Sequence, residues 1–527
     1  MHALTAPLSE LAEIEEICEE RGREPGMLLL SGCVTSQKTH LMYALGKGYG
    51  HTLIVLSSED KAKKLYEEYR FLNENTSYYP AKDLLFYQAD IHGKQLVKQR
   101  METLQMMMEA KSQVTVITTI DGFMDELPSE AEIKGDILTI SNGEALEFES
   151  LKEKIIKLGY DREAQVDGPG QFAVRGGIID IYPLTEELPI RIEFWGDEVD
   201  SIRTFDVDSQ RSVENLEQIV IYPADDRLGS DRKVSFINYF DPKDTLVFLD
   251  EPARLLEKGR LAENEVEKAR ENRAEEMERT GEMEEAPEFF TTDEIIKFLN
   301  KFCMIGMCAL EMKCKPFFVK KRFGIQAKSV NPYNSSFEML TQDLKRLKRN
   351  GYRAVLISGS RTRAKRLAED LRDYDLSSFY SEDQEREVNP GEIMVCYGHI
   401  EVGYEYPMIK FIVISESDIF GKTKKKKKRK SYDGQKISSF SDLKPGDYVV
   451  HENHGLGIYR GIEKIEVDKV TKDYMKISYA DGGNLYILAT QLDQIQKYAS
   501  ADAKKPKLNK LGGQEWHRTK SKVKTAI

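Results

Sequence analysis

Hydrophobic and polar positions alternate in blocks at the start of the chain. Short apolar or β-branched runs at 27–30, 53–56 and 114–117 predict buried strands, and the stretches 39–45 and 61–72 predict helices after the first two. Strands that alternate with helices in this way are typical of a parallel, doubly wound sheet. The sequence therefore predicts an α/β domain here.

The pattern then changes to short strands separated by glycine and proline. Segments 173–174, 177–182 and 190–195 are typical of antiparallel strands, and we interpret them as an insertion in the first domain. The α/β pattern resumes at 219–221 and 246–249. The insertion is thus expected to interrupt one domain rather than to follow it.

A charged stretch and a second α/β unit come next. The Glu-rich residues 254–287 predict a solvated helix, for which a functional acidic tail is the alternative. The second α/β unit is predicted between 336 and 420, with helices at 338–349 and 362–372 and strands at 354–357, 393–395 and 411–414.

The C-terminal part combines basic segments with a small β module. Residues 421–440 hold nine Lys or Arg against one acid, Asp433, which predicts a flexible linker. Contact with nucleic-acid phosphates is the alternative, because clustered lysines release counterions on binding. Short strands within 441–500, with a hairpin signal at 481–483, predict a small barrel, and the basic tail 501–527 predicts the start of a helix.

Composition narrows the class of protein. The chain has 527 residues, 40% of them hydrophobic, and a formal charge of −12. At roughly 100–200 residues per domain this predicts several domains, and it excludes a basic nucleic-acid coat protein. No apolar run could span a membrane, and six cysteines are too few for a disulfide framework, so a cytoplasmic protein is expected.

Two groups of residues could suggest a metal site. Cys303, Cys308 and Cys314 lack zinc-ribbon spacing, so we interpret them as buried thiols. His451 and His454 have no third ligand nearby in sequence and are interpreted as turn residues. The sequence predicts no metal and no other cofactor for this chain.

The first predicted strand leads into a turn like a phosphate-binding loop. Residues 32–39 read G-C-V-T-S-Q-K-T, whereas a working P-loop needs G-x-x-x-x-G-K-[ST]. Gly32, Lys38 and Thr39 match this pattern. Gln37 stands where the second glycine would let backbone amides wrap the phosphates, and it adds bulk and resists a positive φ.

A second motif belongs with this turn. The strand ending at Asp250 and Glu251 resembles a Walker B strand, whose Asp holds magnesium in P-loop enzymes. No Q-x-x-G-R-x-x-R stretch that could supply an arginine finger is found. We therefore predict a degenerate, structural nucleotide site and a chain that is not an enzyme.

The insertion carries a strong resemblance. Residues 170–183 (G-Q-F-A-V-R-G-G-I-I-D-I-Y-P) and 190–203 (I-R-I-E-F-W-G-D-E-V-D-S-I-R) resemble the module shared by the excision-repair protein UvrB and bacterial transcription-repair coupling factors. The resemblance implies that this module binds the damage-recognition ATPase UvrA through Arg175, Arg191 and Trp195. Arginines and a tryptophan suit an acidic protein partner. The alternative is that Trp195 packs in the core and the arginines are ordinary surface charges.

Two features separate the two families. UvrB proteins have an intact P-loop and a Tyr-rich hairpin that probes DNA. Here Gln37 interrupts the loop, and residues 78–87 run straight into the predicted helix 95–108. This favours the coupling-factor family.

A second signature points to the same family. Residues 443–459 (L-K-P-G-D-Y-V-V-H-E-N-H-G-L-G-I-Y) resemble the start of a CarD-type domain that interacts with RNA polymerase. The resemblance implies a Tudor-like barrel that adds an edge strand to the polymerase β subunit. The exposed candidates for this contact, any of which could instead belong to the barrel core, are Tyr474, Met475, Lys476, Ile477, Leu485 and Tyr486.

The resemblance covers the whole chain and implies a domain order. The expected segments are the first part of a UvrB-like domain (1–128), the UvrA-binding insertion (129–210), the second part of that domain (211–335), a small α/β domain (336–420), a basic linker (421–440), the polymerase-interacting barrel (441–500) and the start of a relay helix (501–527). The ATP- and Mg²⁺-dependent motor of the family is expected to lie outside this chain.

These features predict an adaptor of transcription-coupled nucleotide excision repair. The chain is expected to bind the β subunit of RNA polymerase and to recruit UvrA, with weak DNA contact at most through the linker and tail. In the family, a C-terminal domain masks the UvrA-binding surface. We expect that domain to be missing here, so the UvrA-binding surface of this chain should be constitutively available. Alternatives are a UvrB-like ATP-dependent helicase or damage-binding enzyme, and a stand-alone transcription regulator acting through the barrel.

Overall fold

The computed structural model covers most of the chain. It describes residues 2–22, 24–82, 94–207, 209–225, 233–280, 288–383, 385–421, 434–436, 443–451, 455–467, 470–480, 482–488, 495–498 and 508–510. Within these ranges, no helix is both long enough and apolar enough to cross a membrane.

The first α/β domain alternates strands with helices, as its apolar runs predict. Its elements before the insertion are α1 (His2–Thr5), α2 (Ala12–Glu20), β1 (Gly26–Ser31), α3 (Thr35–Gly46), β2 (His51–Leu56), α4 (Glu59–Tyr69), β3 (Thr76–Tyr78), α5 (Lys94–Glu109), β4 (Val114–Thr119), β5 (Leu127–Pro128) and α6 (Glu130–Asp136). The three predicted strands are confirmed. Helix α3 begins four residues earlier than the sequence indicated, within the P-loop-like turn.

The insertion is a mostly antiparallel sheet covered by one helix. Its elements are β6 (Leu138–Ser141), α7 (Phe148–Lys157), β7 (Asp161–Arg162), β8 (Gln171–Arg175), β9 (Ile178–Tyr182), β10 (Ile190–Trp195), β11 (Glu198–Phe205), β12 (Ser212–Leu216) and β13 (Gln218–Ile221). Six strands pair in the order β12-β11-β10-β9-β8-β7, and β6 pairs with β13. Apolar residues of α7 and of one sheet face form the core. The insertion therefore extends to residue 221, beyond the expected end at 210.

The chain then returns to complete the first domain. The returning elements are β14 (Lys233–Val234), β15 (Thr245–Asp250), α8 (Pro252–Thr280), α9 (Thr292–Leu299), β16 (Cys303–Cys308) and β17 (Val319–Gly324). The main sheet has the order β17-β1-β16-β15-β2-β4-β3, and every pair in it is parallel. A parallel sheet brings the carboxyl ends of β1 and β15 to one edge, so the two nucleotide-site motifs meet there.

A second α/β domain packs against the first. It comprises β18 (Lys328–Ser329), α10 (Phe337–Arg349), β19 (Arg353–Ser358), α11 (Arg361–Arg372), β20 (Ser378–Tyr380), β21 (Ile393–Tyr397), β22 (Tyr404–Tyr406), β23 (Phe411–Ser415) and α12 (Glu416–Phe420). The strand order is β18-β22-β23-β19-β21-β20. Helices α10 and α11 cover one face of this sheet, and the other face shares a core with α3 of the first domain.

The C-terminal module is a six-stranded antiparallel sheet in the described residues. Its strands are β24 (Gly434–Lys436), β25 (Tyr448–His451), β26 (Gly455–Val467), β27 (Val470–Ser478), β28 (Asn484–Leu488) and β29 (Ile495–Tyr498), in the order β24-β29-β25-β26-β27-β28. Strand β24 lies inside the predicted flexible linker. Its three residues pair with β29, so the prediction of a flexible linker is wrong for them. The lysine run at 424–428 lies outside the described residues, as does the tail 501–527, predicted to begin a helix, apart from 508–510.

Candidate functional site

The P-loop-like turn is held by close backbone packing and by a side-chain hydrogen bond of its own. Gly32 has a φ of +81°, and a Cβ there would lie 2.4 Å from the carbonyl oxygen of Ile325, so close backbone packing requires this glycine. Gln37 lies in the first turn of α3 and is fully buried. Its Oε1 accepts a hydrogen bond of 3.0 Å from the backbone amide of Val34. The expectation that Gln37 resists a positive φ does not apply, because the residue is helical; its side chain instead caps the first turn of the helix.

Lys38 is held by the acidic pair at the end of β15. Its Nζ lies 2.6 Å from Oδ1 of Asp250 and 2.7 Å from Oε1 of Glu251, and it also donates to the carbonyl oxygen of Met307. The Lys38 side chain is only 12% exposed. Burial alone would lower its pKa, but the charges and hydrogen bonds of Asp250 and Glu251 outweigh burial and raise it. Three of the predicted nucleotide-site residues, Lys38, Asp250 and Glu251, thus bond to one another.

Glu251 is fixed from two sides. Its backbone has a φ of +53°, which is uncommon for a residue with a side chain. Its Oε1 accepts from the amide of Ala309 at 2.9 Å as well as from Lys38. The carboxylate is thus placed between Lys38 and the residue that follows β16.

A cavity of about 510 Å³ remains beside this ion cluster. Its lining includes Thr39, Lys61, Arg254, Glu68 and Glu401. Glu68 is buried, and burial raises its pKa to about 7, although the hydroxyls of Ser36 and Thr39 hydrogen bond to the carboxylate and lower the pKa. The cavity wall therefore carries a carboxyl group that titrates near neutral pH.

The second α/β domain covers the outer side of α3. His40 Nε2 donates to the carbonyl oxygen of Leu4 at 2.6 Å, so Nδ1 accepts from the hydroxyl of Tyr406 at 3.1 Å. The His40 ring stacks on Tyr404 at 5.2 Å. Burial lowers the pKa of His40 to about 4. Sequence reasoning missed this contact, because it joins residues more than 360 positions apart.

Arg175 and Arg191 meet at one buried carboxylate. Asp180, on the neighbouring strand β9, is 1% exposed. Its Oδ1 accepts from Nε of Arg191 at 2.6 Å, and its Oδ2 accepts from Nη2 of Arg191 at 2.9 Å and from Nη2 of Arg175 at 2.5 Å. The guanidinium of Arg191 also lies over the ring of Phe205, 4.4 Å from its centre. Asp180 was not among the predicted site residues.

Trp195 lies at the end of the same sheet face. It is 82% exposed, so the alternative that it packs in the core is wrong. Strand alternation explains this: Ile190 and Ile192 point into the core against α7, whereas Arg191 and Trp195 point outward. The three predicted residues lie on one face of the sheet together with Asp180, and we call these four residues the arginine face: Arg175, Asp180, Arg191 and Trp195.

The C-terminal candidates divide between core and surface. Met475 and Ile477 are buried in the core of the module, so the expectation that these two are exposed is wrong. Tyr486 is 39% exposed, and the Lys476 ammonium lies 5.5 Å from its ring centre and 2.7 Å from Oε1 of Glu463. Alternation along β27 explains the division, since residues one apart point to opposite faces.

The remaining candidates divide in the same way. Tyr474 is partly exposed, and Leu485 packs against the core while remaining partly exposed. Strand β28, which carries Leu485 and Tyr486, pairs with β27 and has no second partner in the described residues.

The cysteines and histidines form no metal centre in the described ranges. Cys303, Cys308 and Cys314 are buried thiols, as the sequence predicts, and His451 is buried. His454 lies outside the described residues. Among the residues described, no group of three or more His, Cys, Asp or Glu side chains could hold a metal ion.

Comparison with known proteins identifies two of these regions. A family described as the UvrB interaction domain matches residues 138–226, which contain the arginine face. A family described as the CarD-like/TRCF RID domain matches residues 443–499.

Whole-chain relatives agree with these matches. The transcription-repair-coupling factor of Bacillus subtilis is 29% identical, and the match covers 95% of this chain and 47% of the relative. The protein of the same name from Staphylococcus haemolyticus is 28% identical with the same coverage, and one from Staphylococcus epidermidis is 27% identical over 99% of this chain and 49% of the relative. The chain spans about half the length of the curated relatives it matches.

Proposed function

We propose that this chain, a homologue of the transcription-repair-coupling factors, acts in transcription-coupled DNA repair as an adaptor that recruits UvrA to stalled RNA polymerase. One surface binds UvrA and another binds the polymerase β subunit. The observation that carries the proposal is the arginine face, because it lies within the segment that matches the UvrB interaction domain.

The composition of the arginine face supports UvrA recruitment. An exposed tryptophan offers a large apolar anchor, and guanidinium groups pair with carboxylates of an acidic partner. Trp195 has no role in the core that would explain its presence, since its side chain is almost fully exposed. A binding partner accounts for a large aromatic ring kept in water.

Calorimetric titration of UvrA into the purified chain tests this proposal. The double variant Arg175→Ala/Arg191→Ala is expected to weaken binding by roughly tenfold or more, because truncation of interface arginines is costly. The matched control is Lys154→Ala/Lys157→Ala, which removes two positive charges from α7, on the opposite side of the same module. Unchanged affinity in the arginine variant, or equal losses in both variants, would contradict the assigned surface.

The C-terminal module supports the polymerase contact. It matches the CarD-like/TRCF RID domain, and we propose that its sheet closes as a Tudor-like barrel. Strand β28 offers a free edge among the described residues, and edge strands can pair with a strand of a partner. Tyr474, Lys476 and Tyr486 then supply side-chain contacts beside that edge.

A pull-down with purified RNA polymerase tests this contact. Tyr486→Ala is expected to weaken binding by about tenfold, since exposed tyrosines at interfaces are frequent anchors. Tyr374→Ala is the matched control, because Tyr374 is a similarly exposed tyrosine in the second α/β domain. Polymerase binding that survives Tyr486→Ala and deletion of 441–500 would refute the assignment.

We further propose that this chain does not hydrolyse ATP. The support is that Lys38, Asp250 and Glu251, which would hold phosphate and Mg²⁺ in a P-loop enzyme, bond to one another, while the Gln37 side chain accepts the backbone amide hydrogen bond of Val34 in the turn. DNA-stimulated ATP turnover that Lys38→Ala abolishes would refute this and favour the helicase alternative. Nucleotide-binding calorimetry distinguishes the two at lower cost.

A further inference from the structure

The arginine face contains a buried acid that is unexpected on a surface meant for an acidic partner. Asp180 lies in the middle strand of three, in register with Ala173 on one side and Arg191 on the other. Its carboxylate is almost fully buried beneath the two arginines. A negative charge at this place repels the partner's acids, so its presence needs another explanation.

The hydrogen bonds of Asp180 supply that explanation. Both carboxylate oxygens are used: one by Arg191 alone, the other by Arg191 and Arg175 together. Arg191 is held further by Gln210 Oε1 at 3.1 Å and by the ring of Phe205. Two long side chains that would otherwise sample many rotamers, and repel each other, are thereby fixed side by side.

The two arginines keep donors for a partner. Each guanidinium has five N–H groups: Arg191 gives two to Asp180 and one to Gln210 and is 14% exposed, whereas Arg175 gives one to Asp180. The Arg175 side chain is 47% exposed, so its remaining donors face solvent. The unit of two arginines and one aspartate keeps a net charge of +1.

We propose that Asp180 is a positioning residue for partner binding, holding Arg175 and Arg191 as one preformed fork that receives a carboxylate of UvrA beside the Trp195 anchor. This inference rests on the proposed UvrA recruitment. Ordering of long side chains before binding removes a cost that would otherwise weaken the complex. Asp180 thus favours binding through geometry, although its charge opposes it.

The direction of the change in UvrA affinity on mutation of Asp180 distinguishes this positioning role from simple electrostatic attraction. Asp180→Asn keeps the size of the side chain and makes the face more positive by one charge. If charge alone governed recognition of an acidic partner, the variant would bind UvrA more tightly. A positioning role predicts weaker binding, by about tenfold, because both arginines must be ordered when the complex forms.

A double-mutant cycle measured by calorimetry with purified UvrA tests the proposal. Asp180→Asn should weaken binding in the wild-type background and have no further effect in Arg175→Ala/Arg191→Ala, whereas a general loss of fold would lower affinity in both. Glu214→Gln is the charge control, since it removes an exposed acid from β12 of the same sheet and should leave affinity unchanged.

A second variant leaves the buried carboxylate intact. Arg191→Lys keeps the positive charge but cannot bond both oxygens of Asp180 in a fork, and it should weaken binding by a similar factor. Equal or tighter binding by Asp180→Asn, with wild-type chain binding UvrA normally, would overturn the positioning role alone. Absence of binding by the wild-type chain would instead overturn the proposed function.

Discussion

Lys38, Asp250 and Glu251 form an ion cluster at the P-loop-like turn, which we call the cleft. The cleft and the arginine face both pair cationic side chains with buried carboxylates, but with opposite results. In the cleft, Lys38 donates to Asp250 and Glu251, and all three side chains are mostly buried. On the arginine face, Arg175 and Arg191 donate to a buried Asp180, but Arg175 keeps nearly half of its side chain in solvent. In the cleft, the internal ion pair therefore leaves little of the cation in solvent, whereas on the arginine face it leaves Arg175 accessible to a partner.

The difference lies in the number of donors and in their access. A lysine ammonium is a compact point charge with three donors, and Asp250, Glu251 and the carbonyl oxygen of Met307 occupy them. An arginine has five donors in a planar fork, so it can bond an internal carboxylate and a partner at the same time. Loss of Lys38 in the cleft should accordingly act through stability, and loss of the exposed Trp195 on the arginine face through binding.

The largest expected effect is on the stability of the cleft. Lys38→Met removes the cation that holds both mostly buried carboxylates and leaves Asp250 only the more distant Lys61, 3.5 Å away, which should lower the free energy of unfolding by about 3 kcal/mol. Urea denaturation of the purified chain measures this. Lys63→Met is the control, because Lys63 pairs with Glu59 on the exposed side of α4, and it should change stability by less than about 0.5 kcal/mol. A Lys38→Met variant as stable as wild type would contradict the claim that the ion cluster of the cleft stabilises the fold.

Trp195→Ala should show the reverse pattern. Loss of an exposed aromatic anchor is expected to weaken UvrA binding by about 2 kcal/mol, or roughly 30-fold, with the melting temperature unchanged. Calorimetry and thermal denaturation on the same samples measure both. Val213→Ala, an exposed apolar position on β12 of this sheet, is the control and should change neither quantity. A fall in melting temperature for Trp195→Ala would mean that the ring supports the fold.

The cleft should also have a hidden pH dependence. Burial raises the pKa of Glu68 to about 7, so its protonation stabilises the folded state as pH falls from 7 to 5, by about 2 kcal/mol. Burial lowers the pKa of His40 to about 4, so the unfolded state binds the proton first and stability falls by about 2 kcal/mol over the same interval. The two contributions nearly cancel in the wild type.

Single variants should separate the two contributions. Glu68→Gln is expected to lose stability between pH 7 and pH 5, and His40→Gln to gain it, when each is followed by urea denaturation. The wild type serves as the reference because the other titrating groups, among them His51, whose pKa burial also lowers, contribute equally to all three curves. Parallel curves for all three proteins would show that neither group is perturbed by burial.

Sequence patterns predicted the local features and missed the long-range ones. The strands around Lys38 and Asp250 follow from apolar runs, and the outward direction of Trp195 follows from alternation along β10. The contact between His40 and Tyr406 could not be predicted, because local sequence patterns do not indicate which helix or sheet face a distant domain will cover. Asp180 left a signal that could have been used, because an acid between two isoleucines on a buried strand requires a cationic partner.

The smallest expected effect concerns Gln37, the residue that departs from the P-loop consensus. Gln37→Gly restores the consensus pattern, yet it should not restore nucleotide binding, because Lys38 remains bonded to Asp250 and Glu251. It should instead lower the free energy of unfolding by about 1 kcal/mol, since glycine is unfavourable in a helix and the hydrogen bond to Val34 is lost. Calorimetry with ATP and Mg²⁺, beside urea denaturation, measures both outcomes. Tight ATP binding by this variant would mean that one side chain, rather than the ion cluster, closes the cleft.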